Sequence, residues 1–196
     1  MINKNRSLNK QIGCLVVGAL VFQIGNAITV IPQTGSQSTQ SKSGKELLVN
    51  GAFTSGISNW KIEESGAKGE TTVGIGGPSG KPALRLKVIE VGDKSWRLQM
   101  HQGPLMIMKG HKYMFEFWCK SDRESTMTVN CMQNHEPWEH HGAAAEMKID
   151  KSWKKLSFPF TGPWEDANAR ITITNLGTVV GQTYWFASCS LKEVHK

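Results

Sequence analysis

The run His135-Glu136-Pro137-Trp138-Glu139-His140-His141 places three histidines and two glutamates within seven residues. Zinc peptidase chemistry needs His-Glu-x-x-His on one helical face, with the glutamate as general base. Here the residue four beyond His135 is Glu139, and Pro137 breaks any helix that would align the ligands. A looser metal site on His135, His140 and His141 lacks a matching ligand spacing, and loop histidines of this kind are ordinarily solvated. No Gly-x-Ser-x-Gly elbow, phosphate loop or dinucleotide fingerprint occurs, and the glycine-rich stretch Val73 to Gly80 lacks the Lys-Ser/Thr that would hold phosphate. Hydrolysis of a glycosidic bond needs two carboxylates across a cleft, and no spacing marks such a pair. The expectation is a chain without cofactor or catalytic machinery.

The aromatic residues are more informative, with seven tryptophans against two tyrosines. Flat apolar rings stack on sugar faces, while amide, guanidinium and hydroxyl groups bind sugar hydroxyls; tryptophan serves cores and interfaces equally well. Trp60 follows a turn and Trp153 precedes a strand pattern, so both read as structural. Trp138 stands in a polar loop after Pro137, where core burial is hard to arrange, and is the best stacking candidate. Trp96, Trp118 and Trp164 are open on sequence alone, Trp118 falling on the non-core face of its strand.

The elements that must position these residues are strands. Apolar residues alternate with polar ones at Leu84-Leu86-Val88, Tyr113-Phe115-Phe117, Met127-Val129-Cys131, Leu156-Phe158-Phe160 and Ile171-Ile173, which is the period of half-buried strands. Turn clusters such as Gly76-Gly77-Pro78-Ser79-Gly80 and Gly162-Pro163 separate them, so the fold class is an all-β sandwich. Gly142 to Met147 is the one helix-like stretch. Cys119, Cys131 and Cys189 fall at inward positions; a Cys119–Cys131 bridge is conceivable, but buried free thiols are favoured.

Lys4, Arg6 and Lys10 precede an apolar run from Ile12 to Ile24 ending in Gly25-Asn26-Ala27, which reads as a signal peptide over residues 1–27 and hence export. The run is short and broken by polar and glycine residues, so no membrane span is expected after cleavage, although an uncleaved anchor is the alternative. Residues 28–45, rich in Ser, Thr, Gln and Gly, read as a flexible tether. Residues 46–196 form one domain. Five of the seven net positive charges come from Lys4, Arg6, Lys10, Lys42 and Lys45, with no acid before Glu46, so the domain carries only +2. That leaves no basic stripe for a row of phosphates and argues against nucleic acid.

An ordered series of residues resembles carbohydrate-binding module family 4/9, the CenC-type domain. It begins with Leu48-Val49-Asn50-Gly51-Ala52-Phe53 and Trp60. It continues through Trp96-Arg97-Leu98-Gln99, Gly110-His111-Lys112-Tyr113-Met114-Phe115-Glu116-Phe117-Trp118-Cys119-Lys120 and Glu136-Pro137-Trp138. It ends with Trp153, Phe158-Pro159-Phe160, Ala169-Arg170-Ile171, Leu176-Gly177 and Ser190-Leu191. The resemblance implies a jelly-roll sandwich of the galactose-binding-domain-like kind, whose concave sheet binds a glycan chain. It also implies association with secreted polysaccharide-degrading enzymes.

Strand parity agrees with that implication. If Leu98, Met100, Val129, Cys131, Ile171 and Ile173 face the core, then Arg97, Gln99, His101, Thr128, Asn130, Met132, Arg170 and Thr172 face outward. By resemblance these would line the cleft, with Trp138 as its aromatic and Asn134 beside it. Many relatives hold a structural calcium with acidic groups, but this chain has Ala52 or Thr54 and Ala187-Ser188 at the matching positions, so no metal is expected there. The reading is a monomeric, non-catalytic polysaccharide-binding module. The alternatives are a small secreted hydrolase or lyase acting on glycosyl bonds, and a surface adhesion or assembly module.

Overall fold

The computed structural model describes residues 43–194; the expected signal peptide and most of the tether lie outside them. Eleven strands run in the order β1 (Ser43–Glu46), β2 (Lys61–Glu64), β3 (Lys68–Ile75), β4 (Pro82–Glu90), β5 (Leu98–Ile107), β6 (Lys112–Ser121), β7 (Ser125–Gln133), β8 (Ala145–Ile149), β9 (Lys154–Thr161), β10 (Asp166–Thr174) and β11 (Thr183–Val194). They form two antiparallel sheets. One has the order β3-β4-β11-β6-β9 with β1 on β11, and the other the order β2-β5-β10-β7-β8. The all-β sandwich expected from the alternation is therefore the fold observed.

Parity decides which side chains meet between the sheets. Leu84, Leu86, Val88, Phe115, Phe117 and Phe186 of the first sheet are fully buried, as are Leu98, Met100, Met127, Val129 and Cys131 of the second. Each large apolar side chain removed from water in this way contributes about 1.5–3 kcal/mol. Leu176, at the close of the second sheet, and Phe53, in the opening turn, seal the ends of the same core.

The opening Leu48-to-Trp60 series is a locked turn. Asn50, at φ 54°, donates from Nδ2 to the carbonyls of Gly56 and Ser58 at 3.0 and 2.9 Å. Its own carbonyl accepts the Trp60 indole N–H at 3.2 Å, and the Trp60 ring is buried. Gly51 follows because a Cβ there would lie 1.9 Å from the Cys189 carbonyl oxygen. The turn is held to the last strand by Glu46, whose Oε1 accepts the Leu48 and Leu191 amides at 3.1 and 2.8 Å.

Two expectations are revised, the tether boundary and the helix-like stretch, while the favoured free thiols are observed. The first strand takes Ser43 to Lys45 from the segment read as tether. Gly142 to Met147 is not helical: Ala145–Ile149 pairs with β7, Met147 opposite Met127. The alanines favour helix weakly, but Gly142 at φ 94° turns the chain, and an open edge beside β7 supplies the ladder partners. Cys119, Cys131 and Cys189 are all free and buried. Burial pushes the Cys119 thiol up to about 12 and raises those of Cys131 and Cys189 likewise, so they act as small apolar side chains.

Candidate functional site

The outward face of the β2-β5-β10-β7-β8 sheet carries a cleft of about 500 Å³. Its floor comes from four strands: Glu63 of β2, Gln99 of β5, Thr128, Asn130 and Met132 of β7, and Arg170 and Thr174 of β10. Its rims come from two connections. Ser95 and Trp96 precede β5, while Trp138 and His140 lie between β7 and β8. Trp96 and Trp138 are each 46% exposed, uncommon for so large a ring.

Pairing brings together residues far apart in the chain. Glu63 is opposite Gln99 across β2 and β5, and Arg170 is opposite Met132 across β10 and β7. The Arg170 guanidinium donates to Glu63 Oε2 at 3.0 Å and to Met132 Sδ at 3.7 Å, and stands 5.4 Å from the centre of the Trp138 ring. His101 Nε2 lies 3.4 Å from the same Glu63 oxygen. Burial, assisted by the Arg170 charge, nevertheless lowers the His101 imidazole from 6.5 to about 4, so it is neutral near pH 7. The strongest ion pair at the floor is thus Arg170–Glu63, with His101 a neutral neighbour.

The floor is polar yet closed to water. Gln99, His101, Asn130, Arg170 and Thr172 are nine-tenths or more buried, although strand parity turns them away from the core. Asn130 Oδ1, Arg170 Nε, Thr172 Oγ1 and His101 Nδ1 have no hydrogen-bond partner in the protein. Each such orphan costs about 1–3 kcal/mol until something meets it.

The rims are braced. Gln99 Nε2 donates to the Trp96 carbonyl at 3.1 Å, and the Arg97 guanidinium covers the Trp96 ring at 4.4 Å while pairing with Asp93 at 2.7 Å. Arg97 therefore supports a cleft ring and does not itself line the cleft. Asn134 does the same for the opposite rim, its amide bonding the Asn168 carbonyl at 2.8 Å and its side chain the Asn168 Oδ1 at 3.2 Å. Thr172 sits in the cross-strand row between His101 and Asn130, its short side chain fully covered.

Gln99, Thr128, Asn130, Met132, Trp138 and Arg170 are thus brought together at the cleft surface, His101 and Thr172 lie in its floor without lining it, and Arg97 and Asn134 support its rims. Sequence reasoning missed Glu63, Ser95, Trp96, His140 and Thr174 as lining residues. Thr174 continues the parity of Arg170 and Thr172 and was available to it, whereas β2 is four residues long, too short for alternation to show. The loose trio His135, His140 and His141 does not converge. His140 lines the cleft, His141 is fully buried against Asp166 at 3.0 Å, and among the described residues no group of three ligating side chains could hold a metal ion.

Comparison with known proteins agrees with the fold. The family model of a carbohydrate binding domain, CBM_4_9, matches residues 45–177. A cellulose 1,4-beta-cellobiosidase of Acetivibrio thermocellus is 28% identical over 129 residues, covering 64% of this chain but only 14% of that enzyme. A solved structure described as CBM4 superposes with a TM-score of 0.61 at 23% identity, covering 74% of this chain and 98% of its own. The xylan-binding CBM22-1 domain of Paenibacillus barcinonensis Xyn10C gives a TM-score of 0.54 at 15% identity, covering 80% and 99%. The N-terminal cellulose-binding domain of Cellulomonas fimi β-1,4-glucanase C gives 0.52 at 15% identity, covering 70% and 90%. With a match spanning more than half its length and the sandwich to go with it, this chain belongs to the carbohydrate binding domain family CBM_4_9 and is a carbohydrate-binding module.

Proposed function

We propose that a single polysaccharide chain lies in the cleft between Trp96 and Trp138 and is held there without being cut. The observation that carries this reading is the polar lining of Gln99, Asn130 and Arg170 beneath two half-exposed rings in one cleft. Rings at the rims stack on sugar faces, and Gln99, Asn130 and Arg170 meet hydroxyl groups from below. Met132 and Thr128 line the same track, while His101 and Thr172 back it. Glu63 is the one carboxylate among the described lining residues, and it is engaged by Arg170; a hydrolase would need a second across the bond.

The leader pattern at residues 1–27 supports export, and the partial match to a cellobiosidase supports work alongside secreted enzymes that degrade the same polymer. Affinity electrophoresis through gels containing soluble β-glucan, xylan or mannan tests the reading. Retardation on at least one polymer, with no reducing ends or unsaturated products released, is expected. Migration unaffected by every polymer, or release of products, would overturn it.

A further inference from the structure

Outside the cleft, the strongest unused chemistry is a histidine–aspartate–histidine arrangement at the start of β10. The Asp166 side chain is only 5% exposed. Its Oδ1 accepts the Asn168 amide at 2.7 Å and lies 3.4 Å from His135 Nε2, while Oδ2 lies 3.0 Å from His141 Nε2. His141 is fully buried, its ring 4.8 Å from that of Trp164. Burial alone would raise the Asp166 carboxyl, but the bonds from Asn168, His141 and His135 outweigh it and hold the group below its usual range.

His135 and His141 bracket the loop that carries Trp138. The loop closes on itself through the Trp138 amide to the His135 carbonyl at 2.9 Å, and on β7 through the His141 amide to the Cys131 carbonyl at 2.7 Å. Within it Trp138 takes φ 64°, a left-handed conformation that a bulky side chain adopts only where its surroundings over-determine it. One carboxylate gripping both flanks of the loop is such a determinant. Satisfying buried His141 would explain only half of the arrangement. The His135 side chain is 42% exposed and needs no buried partner, so its alignment on Asp166 acts on the loop.

We propose that Asp166 is a positioning residue for carbohydrate binding: its carboxylate clamps His135 and His141 and thereby holds the Trp138 ring at the cleft rim. The inference rests on the reading of Trp138 as a stacking ring. Asp166→Asn keeps size while removing the charge and one acceptor. His135→Ala alters an exposed side chain and leaves the core intact.

Amide hydrogen exchange on the full chain needs no ligand. Asp166→Asn is expected to speed exchange across residues 134–141 by about tenfold, and His135→Ala by less, with the core strands unchanged. On whichever of soluble β-glucan, xylan or mannan retards the wild type, both variants should move toward the mobility of Trp138→Ala. Asp166→Asn should add no further loss to Trp138→Ala. Unchanged protection at 134–141 in Asp166→Asn, or a loss that persists on top of Trp138→Ala, overturns the clamp. Should Asp166→Asn fail to fold, unchanged protection in His135→Ala overturns it equally. Trp138→Ala retained like wild type sinks the stacking reading and the clamp's role in binding together, whereas Trp138→Ala impaired with Asp166→Asn unaffected sinks the clamp alone.

Discussion

Both outer faces of the sandwich carry tryptophans, and they use them differently. On the β3-β4-β11-β6-β9 sheet, Trp118 and Trp185 are half-buried and alternate with the core residues Phe117, Cys119, Tyr184 and Phe186. The Lys120 ammonium lies 4.9 Å from the centre of the Trp185 ring and 5.3 Å from that of Trp153. Lys155 pairs with Glu116 at 2.7 Å, and Glu116 also accepts the Ser157 hydroxyl at 3.3 Å. None of the orphaned buried polar atoms among the described residues lies on this face; four of them lie on the floor of the cleft opposite. Aromatic content therefore does not distinguish the two faces. Concavity and the polar side chains that line it do, because those are the features a ligand can engage.

The largest test of that contrast is acidification. His101 is lowered from 6.5 to about 4 in the folded chain, so the unfolded chain takes up a proton first as pH falls. Stability is then lost between about pH 6.5 and 4, by about 3 kcal/mol in full. Carboxylates held low, such as Asp166 and Glu116, lose their contributions only as pH falls further, below the ordinary carboxylate value. Thermal unfolding at pH 7.5 and 4.5 should show the loss in wild type and little of it in His101→Gln. An equal loss in both would locate the acid sensitivity elsewhere.

Next in size, Trp138→Ala should weaken polysaccharide binding about thirtyfold, the scale of about 2 kcal/mol for an anchoring ring, while Trp185→Ala leaves the dissociation constant unchanged. Calorimetric titration that ranks the two the other way would move the site to the opposite sheet. Asn130→Ala should cost about fivefold to tenfold in affinity with no fall in melting temperature, since its Oδ1 meets nothing in the free protein. A clear drop in melting temperature would show that atom to be structural. Smallest of all, Lys155→Ala should change stability by less than about 0.5 kcal/mol in chemical denaturation, the pair with Glu116 being solvent-exposed.

Much of the fold was legible in the chain. Alternation placed Leu84, Phe115, Val129 and Ile171 inside, and the same parity turned Gln99, Asn130 and Arg170 to the other face. It could not show β8, where weak helical preference at Ala143 to Ala145 yields to an open strand edge. Nor could it show β2, where four residues are too few for a period to emerge.

The site was legible as a face and not as a place. Sequence by itself determined an all-β sandwich, its inward and outward residues, the family it resembles and Trp138 as an aromatic outside the core. Tertiary structure alone decided that Glu63 meets Arg170 across 107 positions of sequence. It also decided that Trp96 forms the second rim, that Arg97 and Asn134 are braces, and that Asp166 reaches both flanks of the Trp138 loop. The reason is physical. Strand parity is set by local backbone geometry and can be read residue by residue, whereas register between distant strands and the reach of connecting loops are set by the packing of the whole sandwich.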